Sequence, residues 1–340
     1  MCYPFRRKRG KHQAVKRRDF ITLLSGAAAW PCVAAAQAKK RPVIGMLGQG
    51  TPAQLKGVQL RRYFFDGLRE LGYVEGRDFD IVGRLAESTS GLPKAAKDLV
   101  QLNPDVIVAT ATANALAAKM ATSTIPIVVP ALGNPIALGL IESYSHPGGN
   151  LTGIMPYVQG LPAKQLELAR EVVPDALKIG IVNDPIDAKA KGQWDEIDAT
   201  AAKLEIRLVR ADVQKPEDIE LAFKKFEAEN AKVAIVLQSN LLFLEQARIA
   251  ATAAATRIPT VYGYRVHVEA GGLISYGVDL NACVHRAATY VYKILNGARA
   301  ADLPVELPTK LELAINMKAA KELGIAFPTA ILVRADHVIE

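Results

Sequence analysis

The sequence predicts an α/β fold of two doubly wound parallel-sheet lobes, and three observations carry that prediction. Short β-branched runs alternate with amphipathic helical stretches from residue 42 onward, the pattern of parallel strands covered on both faces. The pattern restarts near residue 178, after a turn-rich stretch. An Ile-Pro-x-Val step also recurs at the same place in each half, at Ile125-Pro126-Ile127-Val128 and at Ile258-Pro259-Thr260-Val261, each time behind a strand and an alanine-rich helix.

In the first half, the apolar run 42–47 ends at Gly48 and reads as a strand. Residues 53–72 keep Leu60, Phe64, Leu68 and Leu71 at helical spacing and stop at Gly72. Strands are expected at 78–84, 105–110, 125–130 and 150–155, with helices at 91–102, 112–121 and 136–144. In the second half, strands are expected at 178–183, 206–211, 233–238 and 258–262, with helices at 188–204, 216–229 and 241–256. Three extended passages, 151–156 behind the turn cluster 147–150, 271–277 and 303–308, lie where the chain would cross between lobes, the second before a helix at 280–296 and the third before a strand at 311–316. Several crossings permit bending and resist free rotation, which is the geometry of hinge closure. The division expected is a leader at 1–38, a first lobe of 39–153 plus about 277–300, and a second lobe of 154–276 plus about 301–340.

Charge sharpens the picture. The chain carries 42 Lys+Arg against 34 Asp+Glu, a formal +8. Eight of the basic groups and one acid lie in residues 1–38, which leaves 34 basic and 33 acidic groups in the remaining 302 residues. A body this close to neutral lacks the electrostatic footprint of a nucleic-acid binder. Half of the residues are hydrophobic, so a disordered chain is excluded as well.

The leader runs basic, then apolar, then small, the order of an export signal. Its uncharged stretch, 20–36, is broken by Gly26 and Pro31 and falls short of the roughly 20 apolar residues of a membrane-spanning helix. Ala34-x-Ala36 and Ala36-x-Ala38 are cleavage candidates. Arg17 and Arg18, within Lys16-Arg17-Arg18-Asp19-Phe20-Ile21, match the twin-arginine export pattern. Cys2 and Cys32 would leave with the signal, so Cys283 alone remains and neither a disulfide nor a cysteine-based metal site is expected. His146, His267, His285 and His337 are scattered and lack metal-pair spacing.

Several segments together resemble one family. Lys16-Arg17-Arg18-Asp19-Phe20-Ile21-Thr22-Leu23-Leu24, Leu71-Gly72-Tyr73-Val74-Glu75-Gly76, Gly133-Asn134-Pro135-Ile136-Ala137-Leu138-Gly139-Leu140, Pro147-Gly148-Gly149-Asn150-Leu151-Thr152-Gly153 and Gly271-Gly272-Leu273-Ile274-Ser275-Tyr276-Gly277 occur in register along the chain, and Pro308-Thr309-Lys310-Leu311-Glu312-Leu313 fits behind them. The chain thereby resembles the periplasmic substrate-binding proteins of ABC transporters with the type I (ribose-binding-like) fold, in the sub-family that includes tryptophan-binding members. The resemblance implies a periplasmic protein that captures a small organic ligand by hinge closure. It further implies docking on an inner-membrane ABC permease with its ATPase subunits. The protein is expected to be a monomer, with no cofactor, no catalytic residues, no nucleic-acid partner and no membrane insertion of the mature chain.

In open α/β sheets, ligands bind beyond the carboxyl ends of the strands, where helix N-termini converge. Reading those ends gives Gln49, Thr110, Ala111, Thr112, Gly133 and Asn134 from the first half. The second half gives Asn183, Ser239, Asn240, Tyr262 and Tyr264, and Tyr276 lies at the hinge. These neutral hydrogen-bonding groups and rings suit a small polar or amphipathic ligand. The same Ser, Thr and Asn residues also suit plain helix caps. In the family resembled, the place of Asn134 is commonly an aspartate, and an amide cannot pair a ligand ammonium. Asp184, Glu269 and Asp279 are substitutes, and Tyr157, Tyr262, Tyr264 and Tyr276 leave an aromatic ligand open.

Two other functions deserve weighing. Gly48-Gln49-Gly50-Thr51-Pro52-Ala53 matches the G-x-G-x-x-A dinucleotide fingerprint of an NAD(P)-dependent oxidoreductase. Its acidic partner should follow by about 20 residues, yet the nearest strand-end acid, Glu87, comes 37 residues after Gly50. No P-loop and no G-x-S-x-G elbow occurs. A ligand-sensing protein that feeds a receptor instead of a permease would use the same fold.

Overall fold

The computed structural model describes residues 40–55, 59–308 and 310–340. The leader, with Arg17 and Arg18, lies outside the described residues. The first lobe runs β1 (Val43–Gln49), α1 (Pro52–Leu55), α2 (Leu60–Glu70), β2 (Asp80–Ala86), α3 (Leu92–Val100), β3 (Val106–Ala109), α4 (Thr112–Ala121), β4 (Ile127–Val129) and β5 (Leu151–Gly153). The second runs α5 (Leu161–Val172), β6 (Lys178–Asn183), α6 (Ala190–Lys203), β7 (Arg207–Asp212), α7 (Asp218–Ala228), β8 (Val233–Val236), α8 (Asn240–Leu244), α9 (Gln246–Ala255), β9 (Thr260–Tyr262), α10 (Arg265–Glu269) and β10 (Ile274–Val278). The chain closes with α11 (Leu280–Leu295), β11 (Leu311–Asn316), α12 (Met317–Leu323), α13 (Thr329–Arg334) and β12 (His337–Ile339).

Two sheets result. The first is fully parallel, in the order β2-β1-β3-β4-β5. The second repeats that order as β7-β6-β8-β9-β10, then adds β11 antiparallel to β10, and β12 beyond it. Both Ile-Pro-x-Val steps lead into the fourth strand of their sheet, β4 and β9. Four central strands, β3, β4, β8 and β9, are buried at every residue, which explains their unbroken apolar runs. Each sheet is covered by helices on both faces. α2 contributes Phe64, Gly67 and Leu68 as its buried face. It packs with α11, whose buried Cys283, Val284, Ala287, Ala288 and Val291 follow helical spacing. Cys283 is thus a packing residue, its thiol pushed up to about 12, first by burial.

The structure departs from the sequence reading at four places. No helix forms over 136–144. Pro135 and Gly139, which has φ +63°, hold a series of turns there instead. The pattern over 53–72 yields two helices, α1 and α2, and that over 241–256 divides at Glu245 into α8 and α9. Finally, 271–277 is not a free hinge passage. Ile274–Val278 is an interior strand of the second sheet, between β9 and β11.

The chain crosses between lobes three times: after β5, at Asp279, and before β11. The first and third crossings pair with each other, Ile154 against Glu306, through Met155 N–H to Glu306 O (2.9 Å) and Glu306 N–H to Gly153 O (3.0 Å). At the second crossing, the Asp279 carboxylate caps α11 by accepting from Ala282 N–H (3.0 Å). Arg286 of α11 then clamps the third crossing with two hydrogen bonds to Glu306, at 2.9 and 2.7 Å.

Candidate functional site

Where the carboxyl ends of the two sheets meet, they leave a cleft of about 740 Å³. Its walls follow from the topology. Both sheets have the order in which the loops after the first and third strands diverge, opening a crevice at that switch point. From the first lobe come Gly48 and Gln49 at the end of β1, Thr110–Ala113 after β3, and Pro130 and Ala131 after β4. From the second come Ile186–Lys189 after β6, Ser239 and Asn240 after β8, and Tyr264 after β9. Helices α2, α8 and α11 supply an apolar floor of Leu60, Phe64, Phe243, Leu244, Leu280 and Val284.

The first lobe presents the N-terminus of α4. Asn114 ties that helix to the end of β1, its amide donating to Leu47 O (3.1 Å) and Thr110 Oγ1 (3.3 Å). Thr112 Oγ1 accepts from Gly133 N–H at 2.7 Å, so the hydroxyl is held in place. The helix has no side-chain cap, and Ala111 at its start lines the cleft. Uncapped first-turn amides attract negative charge.

The second lobe presents a buried ion pair. Lys189 Nζ lies 2.9 Å from Asp187 Oδ1, each side chain 9% exposed. Burial alone would lower the Lys189 ammonium, but Asp187 beside it holds it above the ordinary lysine range. Asp187 also accepts backbone N–H groups from Lys189 (2.9 Å) and Asn240 (3.2 Å). Ser239 caps α8 by accepting from Leu242 N–H at 3.0 Å. Tyr264 stands edge-on to Phe243, with ring centres 5.9 Å apart, and heads a stack of rings through His267 to Tyr262. Burial pushes the Tyr264 phenol up to about 12, so it stays neutral.

The lobes touch directly beside the cleft. Asn240 Nδ2 donates to Gln49 Oε1 (3.3 Å), and Gln54 Nε2 donates to Glu245 Oε1 (2.5 Å).

Of the residues read from strand ends, Gln49, Thr110, Ala111, Thr112, Ser239, Asn240 and Tyr264 line the cleft. Gly133 lies behind Thr112 and under Lys189. Asn134, at φ +47°, is exposed and outside the lining. Asn183 turns to Asp212 on β7 (2.7 Å), Tyr262 is wholly buried against His267, and Tyr276 packs in the second lobe's core. Asp184 and Tyr157 also lie outside the lining. Asp279 caps α11, and Glu269 pairs with Arg265. The sequence reading missed Asp187 and Lys189, because it took only Asn183 and Asp184 from the end of β6 and began the next helix at residue 188. It also passed over the apolar floor. The Gly48–Ala53 segment leads into a helix of one turn, and a Cβ at Gly50 would meet Leu244 of the opposite lobe at 3.2 Å.

Two buried groups give stability opposite pH slopes. His267 is lowered to about 4, first by burial, so between pH 6.5 and 4 the unfolded chain binds more protons and stability falls on acidification. Glu312 is raised to about 7, first by burial and then by Asp279, although Arg265 pairs it at 2.8 Å. Between pH 7 and 4.5 the native state binds more protons at that group, and stability rises on acidification. The slopes offset in the wild type. Glu312→Gln is therefore expected to uncover an acid loss on the order of 3 kcal/mol from His267, read as the change in urea midpoint between pH 7 and 4.5. A variant whose profile matches the wild type would remove this account.

Comparison with known proteins places the chain. Residues 54–339 match the family model described as ABC transporter substrate binding protein. The chain is 27% identical over 266 residues to a tyrosine-binding protein of Clostridioides difficile (strain R20291), covering 78% of this chain and 76% of that one. The structure is similar to an ABC domain in complex with L-Trp from Streptococcus pneumoniae (TM-score 0.80, 26% identity, 88% of this chain and 100% of that one). It is also similar to the ligand-free, open structure of a substrate binding protein from Clostridium difficile (TM-score 0.64, 25% identity, 88% and 99%). The two-lobed parallel fold, its strand-end cleft and the match over most of the chain agree: this protein belongs to the ABC transporter substrate-binding protein family, with a periplasmic-binding-protein fold of type I.

Proposed function

We propose that this is the exported ligand-capturing component of an ABC importer, taking a small amphipathic organic molecule into the cleft by hinge closure. The observation that carries the reading is a cleft with walls from both lobes, an apolar floor and a rim of fixed hydrogen-bonding groups. Ligand contacts made by both lobes favour the closed arrangement and shift the population toward it. The Gln49–Asn240 and Gln54–Glu245 contacts are those of lobes drawn together, and the closer likeness to the ligand-bound relative than to the open one supports the same view. Relatives that bind tyrosine and tryptophan support a ligand of that size, with an aromatic or amino-acid-like body. Among the described residues, no helix is long and apolar enough to cross a membrane.

Native mass spectrometry of protein purified from its own cells is expected to show one small organic molecule per chain. Small-angle scattering should show expansion when that molecule is stripped and compaction when it is returned. Conversion of the bound compound into product, or an unchanged radius of gyration, would end this reading. Export follows the leader: with Arg17 and Arg18 both changed to Lys, the precursor is expected to stay in the cytoplasm, as read by cell fractionation. Normal export of that variant would refute the twin-arginine route.

A further inference from the structure

We infer that the ligand is a carboxylate without an α-ammonium group, an aryl- or alkyl-substituted carboxylic acid, and that the Asp187–Lys189 pair selects it over the matching amino acid. The inference rests on the binding-protein reading above and names its substrate class.

Among the described residues, the charges lining the cleft are Asp187, Lys189, Arg61 and Arg84, three cations against one acid. The one acid is already engaged. Asp187 holds Lys189 through Oδ1, and its two oxygens accept the backbone N–H groups of Lys189 and Asn240. A ligand ammonium brought into this cleft would find no free carboxylate in the lining. It would meet the Lys189 ammonium instead, and like charges repel strongly where water is excluded.

Lys189 itself asks for an anion. An ammonium has three donors, and among the described residues its Nζ has only Asp187 as a partner. Its stem crosses to the opposite lobe and rests on Gly133: a Cβ at Gly133 would lie 2.8 Å from Lys189 Cγ and 3.3 Å from Thr112 Oγ1. The missing side chain at Gly133 therefore lets a cation from the second lobe lie over the loop held by Thr112, at the uncapped start of the ten-residue helix α4. The Thr112 hydroxyl, held between Gly133 N–H (2.7 Å) and Ala131 O (3.4 Å), fixes the loop, and cation and helix N-terminus in one corner form a carboxylate site. The apolar floor, with Phe64, Phe243 and Leu244, takes an apolar body, and the Tyr264 ring stands within electrostatic reach of Lys189.

The test uses matched pairs that differ only in the ammonium: L-tryptophan against indole-3-propanoate, L-tyrosine against 3-(4-hydroxyphenyl)propanoate, and L-leucine against 4-methylpentanoate. Each is titrated by calorimetry into ligand-stripped full-length mature protein. The deaminated member is expected to bind at least about tenfold more tightly in a pair that binds. Lys189→Gln, which frees Asp187, should swing that ratio toward the amino acid by at least about tenfold, whereas Lys189→Arg should keep the wild-type preference. Circular dichroism verifies that the variants fold, and Asp187→Asn, which leaves the cation alone, should retain the preference for the acid. A tighter amino acid in the wild type, or a ratio unmoved in Lys189→Gln, overturns the inference. If no pair binds while a co-purified molecule still fills the cleft, the substrate class is wrong and the binding-protein reading stands. If nothing co-purifies and no compound compacts the protein, both fall.

Discussion

Adding one methyl group at Gly153 is expected to destabilise the protein by at least about 4 kcal/mol, lowering the thermal midpoint by roughly 10 °C or more. Gly153 ends β5 and opens the first crossing between lobes. Its φ is +153°, a backbone conformation that side-chain-bearing residues rarely adopt, and a Cβ there would lie 2.0 Å from Val129 O. The neighbour cannot yield, because Val129 O already accepts from Ile154 N–H at 2.8 Å and belongs to the central strand β4. Gly277, one residue before the end of β10 and the second crossing, is equally enclosed, with a Cβ 2.0 Å from Gly263 O. Both points where the chain leaves a sheet are thus packed backbone to backbone, which keeps the crossings narrow. Gly83→Ala is the control. Its added carbon would touch nothing nearer than 3.7 Å, at ordinary φ, and should change the midpoint little. Calorimetric melting of Gly153→Ala and Gly83→Ala side by side decides the matter. Equal midpoints would mean that the close approach at Gly153 carries no weight.

The architecture was legible because each central strand is short, β-branched and covered on both faces, so the runs at 105–110, 125–130, 233–238 and 258–262 have no competing reading. Pocket residues at strand ends were legible for the same topological reason, and Thr110–Thr112 and Ser239–Asn240 line the cleft. Side-chain direction was not. A strand alternates its faces, so Asn183, the last residue of β6, points to Asp212 on the neighbouring strand and not to the crevice. Tyr276 likewise packs into the core once β10 is recognised as an interior strand. Asn134 depends on a left-handed residue in a loop, which composition does not reveal. Asp187 and Lys189 had a usable signal. The repeated strand order makes β6 the counterpart of β1, and the loop after β1 was already read as site. The end of β6 is read as site only as far as Asn183 and Asp184, and carrying the equivalence on along the loop would have reached residues 185–189.

Truncating Tyr264 to alanine is expected to have the largest effect on the cleft itself. The ring is 6% exposed, edges Phe243, lies parallel to His267 at 6.5 Å, and faces the ligand space. His267 in turn stacks on Tyr262 at 4.9 Å, and its ring nitrogens sit 3.3 Å from Tyr264 O and 3.1 Å from Leu242 O. A neutral imidazole can donate to only one of those carbonyls, so its position depends on the rings that sandwich it. Removing the outer ring opens a cavity between cleft and core, for a loss of about 3–5 kcal/mol in urea unfolding. It also frees His267 to tilt, so affinity for 3-(4-hydroxyphenyl)propanoate should drop about a hundredfold, or roughly 2.7 kcal/mol. Tyr264→Phe keeps the ring and its contacts, and should stay within about 1 kcal/mol of the wild type in both measurements. The two variants separate wall from scaffold. If alanine lowers stability but leaves affinity intact, Tyr264 only supports the lobe; if phenylalanine alone abolishes binding, the hydroxyl and not the ring is what the ligand reads.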